Sequence, residues 1–156
     1  MFFRKKKEEP KAEPVKKELL YRENIKVGCK ADTQENVIRE VGQMLVDSGY
    51  VDQPYVEAML EREKSFSTFM GNGLALPHGV ESAKKEIKAS GIAVMVFPEG
   101  TEWGAEKVNI VIGIAGVGEE HLQILAVIAD KMLAPEATEE LIKGDVDTVY
   151  RMLSGN

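Results

Sequence analysis

The sequence is poor in the residues that build metal centres and disulfide frameworks. It has one cysteine, Cys29, and two histidines among its 156 residues. A single thiol can form neither a disulfide within the chain nor a multi-thiolate zinc site. The sequence also has no Walker-type Gly-Lys-Ser/Thr, no complete dinucleotide-binding fingerprint and no His-Glu-x-x-His pair. We therefore predict no metal site and no cofactor. A lone cysteine also suits a reducing compartment, so we expect a cytoplasmic protein.

Long apolar runs and an excess of basic residues are absent as well. No apolar run reaches the roughly 18 residues that a membrane span needs. Residues 1–7 have charge directly where a signal peptide has its apolar core. We therefore expect no direct membrane insertion. The formal net charge of −6 argues against a nucleic-acid partner.

Charge and proline distinguish the start of the chain from the rest. Residues 1–18 are mostly lysine and glutamate, with Pro10 and Pro14, and offer few apolar side chains. Such a composition cannot offset the entropy of ordering. We predict a disordered charged tail over residues 1–18 and one globular domain over residues 19–156. The 44% hydrophobic fraction is sufficient for a core in a domain of that length.

Apolar runs predict the strands. Residues 24–28 alternate between polar and apolar, which is typical of a short strand. Residues 91–97 and 108–115 are continuously apolar and too short for good helices, so they indicate buried strands. Pro98-Glu99-Gly100 then predicts a turn that closes the first of these two strands.

Helical spacing of apolar residues predicts five helices between and after these strands. The helices are expected to begin near Asp32, Asp52, His121, Pro135 and Asp145. The three aspartates are predicted to be N-caps, since their carboxylates can accept hydrogen bonds from the first turn. Alternation of helices with buried strands predicts an α/β fold, with helices on both faces of a small sheet.

The stretch from Gly71 to Gly79 ends in a Pro-His-Gly sequence and contains the first histidine. We expect a short strand that presents His78 at the rim of the sheet. A neutral imidazole is a good nucleophile toward phosphorus near pH 7. Gly79 would let a phosphate approach the ring, and Gly71 and Gly73 would turn backbone amides toward an anion. The alternative is a structural histidine, and residue types alone leave both interpretations open.

His121 and Arg62 are further candidates for phosphoryl chemistry. His121 is predicted at a helix start, where it can donate an N–H to a phosphoryl oxygen. Arg62 offers a guanidinium fork, which stabilises charge on the oxygens of a transferring phosphoryl group. Each has a plainer alternative: a polar residue at a helix terminus for His121, and a solvated helix end for Arg62.

Two other kinds of site have weaker support. A metal held by His78 and His121 would need a third ligand, for which Glu81, Glu119 and Glu120 are available. A hydrolase triad would need a hydroxyl or thiol on a sharp elbow of the Gly-x-Ser-x-Gly kind, and the sequence contains none.

Several segments, taken together and in order, are similar to one family. They are Ala-Met-Leu-Glu-Arg-Glu-Lys at 58–64, the stretch 71–79, Phe-Pro-Glu-Gly at 97–100, Val-Ile-Gly-Ile-Ala at 111–115 and Glu-His-Leu-Gln at 120–123. From about residue 20 onward the sequence resembles the mannitol-type EIIA component of the bacterial phosphoenolpyruvate-dependent sugar phosphotransferase system. The Pro-His-Gly segment is common to the mannitol/fructose EIIA group. The Glu-Arg-Glu-Lys helix end at 61–64 and the Ile-Gly-Ile-Ala strand at 112–115 narrow the resemblance to the mannitol type.

The resemblance implies a small mixed sheet and a phosphotransferase. It implies that His78 is phosphorylated by the carrier HPr and passes the phosphoryl group to a cysteine of an EIIB domain for sugar uptake. His121 and Arg62 fall on the family's second active-site histidine and its active-site arginine. Cys29 lies in no EIIB-like phosphate loop, so the acceptor cysteine would belong to a separate membrane EIICB permease.

One functional alternative stays open at this point. Nitrogen-type relatives have a similar Pro-His-Gly segment, and they act as regulatory modules through phosphorylation-dependent protein binding. Phe66, Phe69 and Met70 are expected either to form an apolar docking rim for HPr and EIIB in turn, or to be buried in packing.

Overall fold

The computed structural model describes residues 17–154, with the side chain of Glu81 left out. Most of the predicted tail, residues 1–16, lies outside the described residues, so its predicted disorder stays a prediction. Within residues 17–154 there are five α-helices: α1 Gln34–Asp47, α2 Pro54–Ser65, α3 Glu120–Lys131, α4 Pro135–Lys143 and α5 Val146–Leu153. The same residues form five strands: β1 Ile25–Lys26, β2 Phe69–Gly71, β3 Leu74–Ala75, β4 Gly91–Trp103 and β5 Glu106–Ala115.

The strands form one mixed sheet in the order β1-β4-β5-β3-β2. β4 and β5 pair antiparallel over most of their length, as do the short β2 and β3. β1 pairs parallel with β4, and β3 pairs parallel with β5. The predicted α/β fold with a small mixed sheet is therefore confirmed.

Apolar side chains cover both faces of the sheet. On one face, Val111 packs with residues of α1 and α2, including Val41 and Met59. On the other face, Ile112 packs with residues of α3 and α5, including Ile128 and Val149. Neighbours along β5 point to opposite faces, as successive strand residues must. This double burial explains why the central strands are continuously apolar.

The first long strand does not end where the sequence predicted. The expected turn at Pro98-Glu99-Gly100 is wrong, since β4 continues to Trp103. The register against β5 shifts between Val96 and Thr101, so extra residues are accommodated as a bulge. Gly100 takes a φ of +83° inside it. A Pro-x-Gly sequence can therefore indicate a bulge as well as a turn.

Two of the three predicted N-caps are wrong. Thr33 caps α1, because its hydroxyl accepts the Asn36 N–H at 3.1 Å, while Asp32 accepts bonds from the Thr33 N–H and the Asn36 side chain. Gln53 precedes α2 without a side-chain cap, and Asp52 contributes its backbone carbonyl. Asp145 does cap α5, where its carboxylate accepts the Thr148 N–H at 2.9 Å. No helix within the described residues is long and apolar enough for a membrane crossing.

Candidate functional site

His78 lies just beyond β3, where the chain still runs beside β5. Its backbone forms a parallel bridge with Ile114, and the Ile114 N–H donates to the Pro77 carbonyl at 3.0 Å. β3 and β5 are parallel, so His78 lies at the carboxyl ends of both strands. Ligands of α/β sheets bind at such edges, because the loops diverge there.

A hydrogen bond fixes which ring nitrogen of His78 is free. Nδ1 lies 2.8 Å from the carbonyl oxygen of Leu76. A carbonyl can only accept, so Nδ1 must bear the hydrogen. In the neutral ring the lone pair is therefore on Nε2, and Nε2 is the nucleophilic atom.

The surroundings of His78 favour its neutral form. Burial of the ring is the largest cause, and it lowers the pKa of His78 below the usual value of 6.5. The hydrogen bond to Leu76 raises this pKa. The nearby positive charge of Arg62 lowers it, His121 also lowers it, and Glu63 raises it. At neutral pH the lone pair on Nε2 is available for attack.

His121 shares a cleft with His78. The two histidines line a narrow cleft of about 20 Å³, together with Tyr55, Gly79 and Gly116 among others. α3 begins at Glu120, one residue before the predicted start, and His121 Nδ1 lies 3.2 Å from the Gly118 carbonyl oxygen. The two histidines therefore line the same cleft at one end of the sheet, although 42 residues separate them in sequence.

Arg62 approaches the site from the last turns of α2 and does not line this cleft. Its Nη1 donates to the Phe66 carbonyl at 2.8 Å, and its guanidinium lies 5.9 Å from the centre of the Phe66 ring. Its charge is close enough to lower the pKa of His78. The structure therefore brings the two histidines to one cleft and places the arginine charge beside it.

Glu63, next to Arg62, organises this end of α2 and was not singled out from sequence. Its carboxylate accepts both the Thr68 N–H and the Thr68 hydroxyl at 2.7 Å. It also accepts the indole N–H of Trp103 at 2.9 Å and the Gln34 side-chain amide at 3.2 Å. Two of these donors, on Gln34 and Trp103, are 29 and 40 positions away in sequence, so the sequence offered no signal for this role.

The glycines around His78 have structural roles that the sequence did not predict. A Cβ on Gly79 would lie 2.6 Å from the Tyr55 ring, so this glycine accommodates Tyr55, and the approach of a phosphate past it stays a prediction. Asn72 and Gly73, with φ of 52° and 72°, form the two-residue turn of the β2–β3 hairpin. That turn is five residues from His78, about 16 Å along an extended strand. The prediction of an anion cradle there is wrong.

The structure around the cleft can be compared with the metal site and the apolar docking rim that were considered from sequence. Among the described residues, no group of three or more His, Cys, Asp or Glu side chains could hold a metal ion. Phe66 and Met70 are 73% and 51% exposed, as an apolar rim requires, whereas Phe69 is half-buried against the core. A larger cleft of about 540 Å³ lies between α1 and α2, and neither histidine lines it.

The fold and the site define an α/β protein that presents a neutral histidine, beside a second histidine and an arginine charge, at the end of its sheet. Such a site suits transient covalent capture of a group by nitrogen. The family described as "Phosphoenolpyruvate-dependent sugar phosphotransferase system, EIIA 2" matches residues 18–156, and the chain belongs to this family. It is accordingly a phosphotransferase, as the sequence resemblance implied.

Individual relatives agree with this assignment. The mannitol-specific phosphotransferase enzyme IIA component of Halalkalibacterium halodurans is 45% identical over 124 residues, which cover 80% of this chain and 86% of the relative. The protein of that name from Bacillus subtilis is 45% identical over 126 residues, with 80% and 88% covered. In the NMR structure of the Escherichia coli complex of enzyme IIAMtl with phosphorylated enzyme IIBMtl, the matched chain is 38% identical. It has a TM-score of 0.82, and the match covers 88% of this chain and 98% of that one.

Proposed function

We propose that this protein is the EIIA phosphocarrier of mannitol uptake and that His78 is its phosphorylated residue. HPr is the proposed donor, and a cysteine of an EIIB domain in a separate EIICB permease is the proposed acceptor. The mannitol assignment is supported by the names of the 45% identical relatives, and the EIIB partner by the complex of the E. coli protein. Because the family is named for phosphoenolpyruvate, an intracellular metabolite, we propose a cytoplasmic location.

The observation that supports His78 as the acceptor is its hydrogen bond to Leu76. With Nδ1 donating at 2.8 Å, Nε2 holds the lone pair at the end of the sheet. In the first step Nε2 attacks the phosphorus of phospho-HPr, an N–P bond forms on His78, and the N–P bond of HPr breaks. The donor histidine leaves with the electron pair, so no co-reactant is needed.

The second step returns His78 to its starting state. A cysteine thiolate of EIIB attacks the same phosphorus, an S–P bond forms and the N–P bond to Nε2 breaks. The electron pair of that bond returns to Nε2. Since Nδ1 keeps its hydrogen throughout, the ring leaves as a neutral imidazole and is ready for the next cycle.

Arg62 and His121 have complementary roles in this proposal. The Arg62 guanidinium offsets the negative charge on the phosphoryl oxygens by charge-assisted hydrogen bonds. His121 uses Nδ1 toward Gly118, so its Nε2 can donate only when the ring is doubly protonated. We propose that His121 contacts the phosphoryl oxygens through Nε2 and stabilises the group as it leaves for EIIB.

A relay assay tests the proposed function. Phosphoenolpyruvate, enzyme I, HPr and this protein are incubated with the EIIB domain of a mannitol permease, and label on the EIIB cysteine is followed. We expect label on EIIB that depends on this protein. Label that stops at this protein would refute the carrier role and favour the regulatory alternative, which has less support because the relatives are named as mannitol-specific transferases.

A further inference from the structure

We propose that Tyr55 is a positioning residue that holds the imidazole of His78 in its reactive orientation. The inference rests on the proposed function of His78, but the geometry behind it concerns the unphosphorylated protein. Tyr55 lies in the first turn of α2, two turns before Arg62, and it lines the cleft of the two histidines.

The hydroxyl of Tyr55 bridges two segments of backbone. It accepts the Gly79 N–H at 2.9 Å and donates to the Ile114 carbonyl at 2.8 Å. Tyr55 is only 3% exposed, and burial raises its pKa to about 12. The hydroxyl therefore keeps its proton at any physiological pH, and it can always make the bond to Ile114.

Both neighbours of His78 are tied to the same residue of β5. On one side, the Pro77 carbonyl accepts the Ile114 N–H at 3.0 Å. On the other side, the Gly79 N–H reaches the Ile114 carbonyl through the Tyr55 hydroxyl. Because the backbone is held on both sides of His78, only its side-chain torsions remain free, and the bond from Nδ1 to Leu76 restrains those.

The Tyr55 ring adds a steric contact to the hydroxyl bridge. A Cβ built on Gly79 would lie 2.6 Å from the ring, so ring and backbone are in close contact. Replacing Tyr55 by Phe keeps this contact and removes the bridge. It leaves the part-buried Gly79 N–H and the buried Ile114 carbonyl without the hydroxyl, and water must then enter the cleft to satisfy them.

Tyr50 offers a matched control. It is also fully buried, and its hydroxyl donates to a backbone carbonyl, that of Glu18, at 2.6 Å. Tyr50 does not line the cleft of His78. Tyr50→Phe therefore loses one part-buried hydroxyl hydrogen bond, whereas Tyr55→Phe loses two. Tyr50→Phe controls for the removal of a tyrosine hydroxyl from a backbone carbonyl away from the cleft.

The experiment measures two quantities on Tyr55→Phe and Tyr50→Phe. In the free proteins, ¹⁵N NMR of His78 reports the tautomer. We expect the Nδ1–H form in the wild type and in Tyr50→Phe, and a mixture of tautomers in Tyr55→Phe. For transfer from phospho-HPr, we expect Tyr55→Phe to be about 10- to 100-fold slower, since small misplacements of a reacting group cost that much. Tyr50→Phe should transfer at the wild-type rate.

The outcomes are decisive in either direction. A Tyr55→Phe protein with the wild-type tautomer and rate would overturn the proposal, and so would equal changes in both variants. If Tyr55→Phe does not fold, amide exchange in the wild type decides: fast exchange at the Gly79 N–H would refute the bridge. Failure of the wild type to take phosphate would refute the proposed function instead, and the tautomer measurement would still test Tyr55.

Discussion

At the residue scale, the reactivity proposed for His78 depends on one short hydrogen bond and on burial. The bond to Leu76 places the hydrogen on Nδ1 and leaves the lone pair on Nε2. Burial disfavours the charged ring, so the nucleophilic form persists at neutral pH. The sequence could predict that a histidine is the reactive residue, since the Pro-His-Gly segment contains His78. It could not predict the tautomer, which is set by backbone geometry.

The lowered pKa of His78 predicts a specific pH dependence. In an NMR titration of the folded protein, His78 should protonate below pH 6.5, the usual value for imidazole. Between its folded pKa and 6.5 the unfolded state binds more protons, so this contribution to stability is present above 6.5 and is lost as the pH falls. His78→Asn, which cannot titrate, should lack this part of the pH dependence of unfolding. A midpoint above 6.5 would contradict the prediction.

At the element scale, the three proposed site residues come from three separate elements. The strand end after β3 supplies His78, the last turns of α2 supply Arg62, and the start of α3 supplies His121. Their existence could be predicted from apolar spacing, although α3 begins one residue earlier than expected. The sequence did not predict the β2–β3 hairpin or the bulge in β4, because Asn72-Gly73 and Pro98-Glu99-Gly100 each suit more than one backbone geometry.

Two variants should separate the contributions of α2 and α3. Arg62→Ala should slow phosphorylation of His78 and onward transfer alike, by about the 1.5–3 kcal/mol of a charge-assisted hydrogen bond.

His121→Ala should still accept phosphate from HPr but should slow the step to EIIB. Single-turnover kinetics with each partner measure both steps. If either variant has wild-type kinetics, the replaced residue has no role in transfer and is only a polar residue at the end of a helix.

At the scale of the whole molecule, two helical layers pack on one sheet and leave the site at its end. The fold class could be predicted because burial on both faces makes central strands continuously apolar. The supporting contacts could not be predicted. Tyr55 bonds Ile114 across 59 positions and Glu63 bonds Trp103 across 40, and such pairings leave no local pattern. The resemblance to a known family predicted the reactive residues, while the structure indicates what holds them.

The most direct test of the account is to locate the phosphate after incubation with phosphoenolpyruvate, enzyme I and HPr. NMR of the phosphorylated protein should show one phosphohistidine, at Nε2 of His78, and His78→Ala should take up no label. His121→Ala, which removes the other histidine, should still be labelled. Phosphate on His121, or label retained by His78→Ala, would contradict the account.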